Sequence, residues 1–349
     1  MEDRKRLVIH VGYPKSGTTS MQRNLYPQIG DRAYLGKPKK FGVYNDEQTG
    51  RSWNIWGNIR RIVGADDAHF YNALPEIAAS LRRRVLDSDQ DVVVLSDEDL
   101  LRPSRCLSQT RSLSDVSRIP ERLRVLHEEG LSDICDLHVL ITIRRQSDLI
   151  PSYYAQFGGE EVYYGVYRAG FDRFLRFCLE DDQIGYGPVF DFDAMVARFE
   201  SAIGESYVHV VAMEALFDPG DAVAAKTMAQ LIGVSQENVK DTLAGRVVRS
   251  KRRPSDEGTV VYSAYHVPVG GRAVFWRVMD RLLPKQLRYS NTRTARLLIR
   301  FRKLAKRTRP REYFKVEPDA RARLEQAYVA SNHRLEARRK LGLNRYGYC

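Results

Sequence analysis

Residues 7–22 read LVIHVGYPKSGTTSMQ, and this stretch decides the fold. Val8, Ile9 and Val11 make a β-branched run of the kind that forms a buried strand. Gly12 and Pro14 end that strand. Ser16, Thr18, Thr19 and Ser20 then supply hydroxyls where a helix is expected to begin, ahead of Met21 and Gln22. Strand, glycine loop and helix start together aim free backbone N–H groups and the positive end of a helix at an anion. Glycine loops after strands are also common as plain connections, so the surrounding residues have to carry the argument.

The bulk composition bounds the answer. A chain of 349 residues, 43% hydrophobic and 29% charged, can hold one large α/β domain or two small ones. No apolar run is long enough to span a bilayer, and the charged opening MEDRKR runs directly into the first strand. The expectation is therefore a cytoplasmic protein without signal peptide or anchor. Cys106, Cys135, Cys178 and Cys349 are scattered without CxxC or Cys/His spacing, which predicts free thiols and no structural zinc. The net charge of +12 suits an anionic ligand, an acidic polymer or an anionic membrane surface. Residues 272–340 hold 21 Lys/Arg against six Asp/Glu, so the rest of the chain is slightly acidic.

Further along, residues 34–40 form a basic turn in which Lys37, Lys39 and Lys40 read as solvated. Trp53, Trp56, Ile59, Ile62 and Val63 stand at helical spacing over 52–63, and 74–86 reads as an amphipathic helix. Residues 91–100, DVVVLSDEDL, predict a strand buried on both faces, as in parallel sheets. It ends in Ser96, Asp97, Glu98 and Asp99, where open α/β sheets gather ligands, although a solvated cap is the competing reading. A charged helical segment over 111–130 precedes a third strand, ICDLHVLITIRR at 134–145. That strand runs into Arg144 and Arg145, and Ser152 follows Arg144 by eight. An arginine at a strand end and a serine on the next element can converge on one phosphate. Residues 207–213 predict a fourth strand, with His209 as a core histidine, and 222–232 a helix. Residues 248–258 form a basic loop holding Arg249, Lys251, Arg252 and Arg253. Over 297–307 an apolar stripe opposes Arg300, Arg302, Lys303, Lys306 and Arg307. Packing of that stripe on the core is the default, and an anionic membrane surface is the alternative. This order predicts a mainly parallel sheet flanked by helices. We read one domain over 1–349, with an α/β core to about residue 235 and a basic, mainly helical part over 236–349 packed on it.

Gly12 and Gly17 stand five apart, as in the P-loop G-x-x-x-x-G-K-[ST], but Thr18 occupies the lysine position and the lysine, Lys15, lies inside the loop. A nucleotide triphosphatase needs its lysine on the β- and γ-phosphates and a hydroxyl on Mg²⁺. PKSGTTSMQ instead resembles the 5′-phosphosulfate loop of sulfotransferases that use 3′-phosphoadenosine 5′-phosphosulfate (PAPS). RRQSDLIPS resembles their 3′-phosphate motif: Arg144 and Ser152 match it, and Arg145 stands where a small acidic or amide residue is more usual. The resemblance covers the first two-thirds of the chain motif by motif, with a weak YGY signature at 346–348, and is strongest to bacterial enzymes acting on carbohydrates.

That resemblance implies a P-loop NTPase-like fold, PAPS as donor, adenosine 3′,5′-bisphosphate (PAP) as product and no required metal. It implies Lys15 as the residue that stabilises the leaving group, with Ser16, Gly17, Thr18, Thr19 and Ser20 around the 5′-phosphate. Arg144 and Ser152 would hold the 3′-phosphate, and Arg252 would belong to a late loop over the nucleotide. It implies a carboxylate base at the SDED turn, with Glu98 preferred and Asp97 and Asp99 open. The acceptor implied is a hydroxyl of a glycan or glycolipid, with a small metabolite or a peptide tyrosine left open; the basic stretch over 297–307 allows peripheral contact with an anionic inner membrane face, and no nucleic acid is expected. Two other readings compete. A P-loop nucleotide kinase or triphosphatase is opposed by Thr18. A non-catalytic polyanion-binding protein leaves Lys15, Arg144 and Ser152 without a reason to stand as they do.

Overall fold

Four β-branched segments of the chain become one parallel sheet. Strands β1 (Lys5–Gly12), β4 (Val92–Ser96), β5 (Cys135–Ile143) and β6 (Val208–Ala212) lie in the order β4-β1-β5-β6. Leu7 pairs with Val93 on one side and Leu137 on the other, and Ile141 pairs with Val210. Strands β1, β4 and β5 are apolar on both faces, with Leu7, Val8, Ile9, Val11, Val93, Val94, Val139, Leu140 and Ile141 all buried. That is the burial expected where helices cover a parallel sheet. Two hairpin pieces, β2 (Tyr44–Asn45) and β3 (Ser52–Trp53), pair with each other. The computed structural model describes residues 4–30, 32–36, 44–45, 52–53, 62, 66–107, 113–180, 186–243, 252–254, 260–265 and 311–349.

The covering helices follow sequence signals. Asp67–Asp87 buries Phe70, Leu74, Ile77, Ala78, Leu81 and Val85 at helical spacing, and its N-cap Asp66 accepts from the His69 N–H at 2.7 Å. Ile119–Gly130 starts later than the charge pattern over 111–130 suggests. Pro120 suits only the first helical turn, so the residues before it form a 3₁₀ turn, Val116–Arg118, instead. Phe192–Ile203 and Ala222–Ile232 are capped by Asp191 and Asp221, and Gly233 closes the latter at φ 73°. The helix expected over 52–63 does not begin at Ser52. Ser52–Trp53 is extended and hydrogen-bonded to Tyr44–Asn45, so sheet pairing overrides the helical period there.

The C-terminal part contributes sheet as well as helix. Strands β7 (Arg252–Pro254), β8 (Val260–Tyr265) and β9 (Arg311–Lys315) form an antiparallel sheet in that order. Phe314 of β9 docks it against the rings of Phe171 and Tyr154, at 4.9 and 5.2 Å between centroids. The long helix Pro318–Arg339 buries Leu324, Tyr328 and Leu335. Its Asn332 exchanges two hydrogen bonds with Gln146, at 3.0 and 3.1 Å. Arg334 and Arg338 bind Asp193 at 2.9 and 2.7 Å, so part of the C-terminal positive charge is spent inside the structure. Lys37, Lys39, Lys40, most of the 248–258 loop and the basic helix expected over 297–307 lie outside the described residues. Cys135, Cys178 and Cys349 are free thiols, as their spacing predicts. Among the described residues no helix is long and apolar enough to cross a membrane, and no cluster could hold a metal ion.

Candidate functional site

The carboxyl ends of three adjacent strands bring the candidate residues to one place. Lys15 lies three residues beyond β1, Glu98 two beyond β4, and Arg144 directly after β5. This is the edge at which open α/β sheets bind ligands.

The β1 loop is built to pass very close to its neighbours. A Cβ on Gly12 would lie 3.0 Å from the Glu98 carbonyl oxygen, and one on Gly17 only 2.6 Å from Cε2 of Phe217. Both glycines also have positive φ, 123° and 83°, so side chains are excluded sterically and conformationally. The Tyr13 N–H bonds the Thr142 carbonyl at 2.7 Å, tying the loop to β5. Lys15 itself sits at φ 72°, an unusual setting for a residue with a Cβ. No backbone carbonyl among the described residues takes the N–H groups of Gly17, Thr18 or Thr19.

The hydroxyl run does not act as one set. Ser16 is fully buried, and its hydroxyl donates to the Tyr13 carbonyl at 2.5 Å and meets Thr142 Oγ1 at 2.7 Å. It staples the loop internally. Thr18 and Ser20 are buried, and Thr19 is exposed.

Lys15 Nζ reaches Gln156 Oε1 at 3.4 Å. Burial pushes its pKa below the ordinary lysine value, the nearby Arg144 adds to this, and Glu98 opposes it. Arg144 Nη1 donates to Ser152 Oγ at 3.3 Å and to the Lys15 carbonyl at 3.1 Å. Its buried Nε has no hydrogen-bond acceptor among the described residues. The eight-residue spacing thus becomes a side-by-side pair, because Gln146–Tyr153 is a helix starting immediately after the strand. Arg145, the residue that departs from the motif, is absorbed elsewhere: it binds Asp148 at 2.7 Å, and its N–H bonds Glu214.

The acidic turn resolves into separate roles. Asp97 is buried and accepts from the Asp99 N–H at 2.9 Å, capping the 3₁₀ turn Glu98–Leu101. Asp99 is buried against Arg102 and Arg105, at 3.3 and 3.0 Å. Glu98 is half-buried, and its Oε2 accepts from Gln22 Nε2 at 2.7 Å. Of Arg252 the structure describes the backbone alone, paired with Tyr262 in the antiparallel sheet.

Several neighbours had no role in the sequence reading. Gln22 orients Glu98, and its place one helical turn after the loop was the available signal. Glu214, two residues beyond β6, receives the Tyr348 hydroxyl at 2.7 Å and is pushed above the usual carboxylate range by burial. The YGY residues therefore anchor the chain end: Tyr346 also donates to Asp221 at 2.8 Å. His209, expected in the core, is only half-buried, with its Nε2 3.0 Å from His138 Nδ1.

No family model matches this chain, and no curated protein matches it. Among solved structures, the crystal structure of a sulfotransferase from Alicyclobacillus acidocaldarius is similar at 17% sequence identity, covering 71% of this chain and 87% of that one, with a TM-score of 0.38. At that score the likeness carries no argument.

Proposed function

We propose that this protein is a sulfotransferase that moves the sulfuryl group of PAPS to an acceptor hydroxyl. The observation that carries the reading is the convergence of Lys15, Glu98 and the Arg144–Ser152 pair at three neighbouring strand ends. Arg144 and Ser152 form a fork and hydroxyl suited to a 3′-phosphate, and the unpartnered Arg144 Nε gives the guanidinium a further donor. Lys15 and the loop N–H groups of Gly17, Thr18 and Thr19 suit the 5′-phosphate.

Glu98 takes the proton of the acceptor hydroxyl as its oxygen attacks sulfur. The bond between sulfur and the 5′-phosphate oxygen breaks, and Lys15 stabilises the negative charge left on that oxygen. The sulfate ester and PAP leave, and Glu98 returns its proton to solvent. No step calls for a metal ion. Asp97 and Asp99 are held by the turn and by two arginines, which supports Glu98 as the base. The acceptor class we favour is a glycan or glycolipid hydroxyl, on the resemblance and the basic C-terminal composition.

Calorimetric titration with PAP, ADP and ATP·Mg²⁺ tests the assignment. Metal-independent binding of PAP, much tighter than ADP, is expected. Preferential binding of ATP·Mg²⁺ with indifference to the 3′-phosphate would replace it with the kinase reading.

A further inference from the structure

Beneath the loop lies a fully buried histidine that the chemistry above does not use. His10, near the end of β1, has no accessible surface. Its Nδ1 is 2.9 Å from Ser96 Oγ and 3.0 Å from the Tyr26 hydroxyl, and its Nε2 is 3.0 Å from Thr142 Oγ1. Both sides lead to the candidate site. Ser96 Oγ accepts from Gln22 Nε2 at 3.1 Å, and the same amide donates to Glu98 Oε2. Thr142 Oγ1 donates to the Gly12 carbonyl at 3.1 Å and meets Ser16 Oγ, whose own proton goes to the Tyr13 carbonyl. One imidazole therefore stands between the carboxylate at the end of β4 and the loop at the end of β1.

Proton bookkeeping sets its tautomer. With its single hydrogen donated to the Gly12 carbonyl, Thr142 Oγ1 accepts from His10, which puts the ring proton on Nε2. Nδ1, with a single lone pair, is then an acceptor for the Ser96 hydroxyl, while the Tyr26 hydroxyl beside it also meets Met21 Sδ at 3.6 Å. A positive ring would lose that accepted hydrogen bond in a fully buried site.

We propose that His10, held as the neutral Nε2–H tautomer, is a positioning residue that sets the Glu98–Gln22 pair and the Gly12–Ser16 loop in register. The role in sulfuryl transfer rests on the function proposed above. The hydrogen-bond chain itself does not.

Two measurements separate them. In ¹⁵N-labelled protein, His10 is expected to show a protonated Nε2 and a bare Nδ1. The other tautomer overturns the proposal. The second measurement compares PAP affinity in His10→Gln and His10→Asn. A glutamine amide reaches the Nε2 position and can donate to Thr142, whereas asparagine reaches only the Nδ1 side. His10→Asn is expected to weaken PAP binding about tenfold relative to His10→Gln, the effect of leaving the buried Thr142 hydroxyl of β5, which holds the Gly12 carbonyl, without its donor. Equal affinities in the two variants overturn the coupling. Failure of the wild-type protein to bind PAP, with the tautomer as assigned, overturns the proposed function and leaves His10 a structural clamp.

Discussion

Replacing Arg144 with alanine separates a nucleotide-binding arginine from a scaffolding one. The guanidinium makes two internal contacts, 3.3 Å to Ser152 Oγ and 3.1 Å to the Lys15 carbonyl, at the long end of the N–H···O range. Donors held that loosely are available for an anion. A hydrogen bond to a charged partner contributes roughly 1.5–3 kcal/mol, so losing a two-pronged grip on the 3′-phosphate should remove about 3–6 kcal/mol. That corresponds to roughly 10²- to 10⁴-fold in the dissociation constant of PAP. ADP lacks the 3′-phosphate and should respond differently. Arg144 is one of the causes holding the Lys15 pKa down, so its removal lets Lys15 move back towards the ordinary value. Affinity for ADP should then hold or rise slightly, most visibly at alkaline pH, where the depressed lysine of the wild-type protein loses its proton first. Calorimetry with PAP and ADP on both proteins reads this out. Parallel losses for the two nucleotides would refute the reasoning, because they would mean that Arg144 serves the loop through the Lys15 carbonyl and not the 3′-phosphate.

Other perturbations have equally definite outcomes. Glu98→Gln keeps an acceptor for Gln22 but removes the base, so turnover of PAPS with an accepted hydroxyl should fall by about 10²- to 10⁴-fold while PAP affinity stays within about threefold. A large loss of PAP affinity would instead assign Glu98 to the loop. Gly17→Ala places a methyl against Phe217 in a left-handed conformation, and should destabilise the protein by about 1–3 kcal/mol in urea unfolding while weakening PAP binding. A neutral Gly17→Ala would show that the loop is not held as described. His138 and His209 are both lowered to about 4, first by burial, so the folded protein keeps them neutral while the unfolded chain protonates near 6.5. Stability should thus decline as pH falls from about 6.5 towards 4 and level off below the folded values, and His209→Gln should flatten that decline in denaturant titrations across the range. An unchanged slope would remove this pair from the account of acid sensitivity.

How much of this was readable beforehand varies with the range of the interactions involved. The strands at 7–12, 92–96 and 135–143 declare themselves because each is a short β-branched run that must be buried on both faces. The helix at 222–232 is legible to its ends from local capping chemistry. Arg144 and Ser152 could be paired from spacing, since a strand end followed directly by a helix leaves little freedom over eight residues.

The hydroxyls of the loop show where local reading stops. Ser16, Thr18 and Thr19 look alike in the chain, yet Ser16 turns inward because Thr142, 126 residues away, offers it an oxygen in the core. Asp97, Glu98 and Asp99 are likewise equivalent by position. Only the arrival of Arg102 and Arg105 at Asp99, the capping geometry of Asp97 and the reach of Gln22 to Glu98 distinguish them. Ser52–Trp53 pairs with Tyr44–Asn45 instead of following its own helical period because backbone pairing outweighs a weak propensity. The sequence by itself therefore determined the parallel α/β framework and the strand–glycine-loop–helix order at the end of β1, which depend on local pattern and burial. The tertiary structure alone decided which side chains in the motifs face outward, because that depends on partners brought together by the order of strands in the sheet.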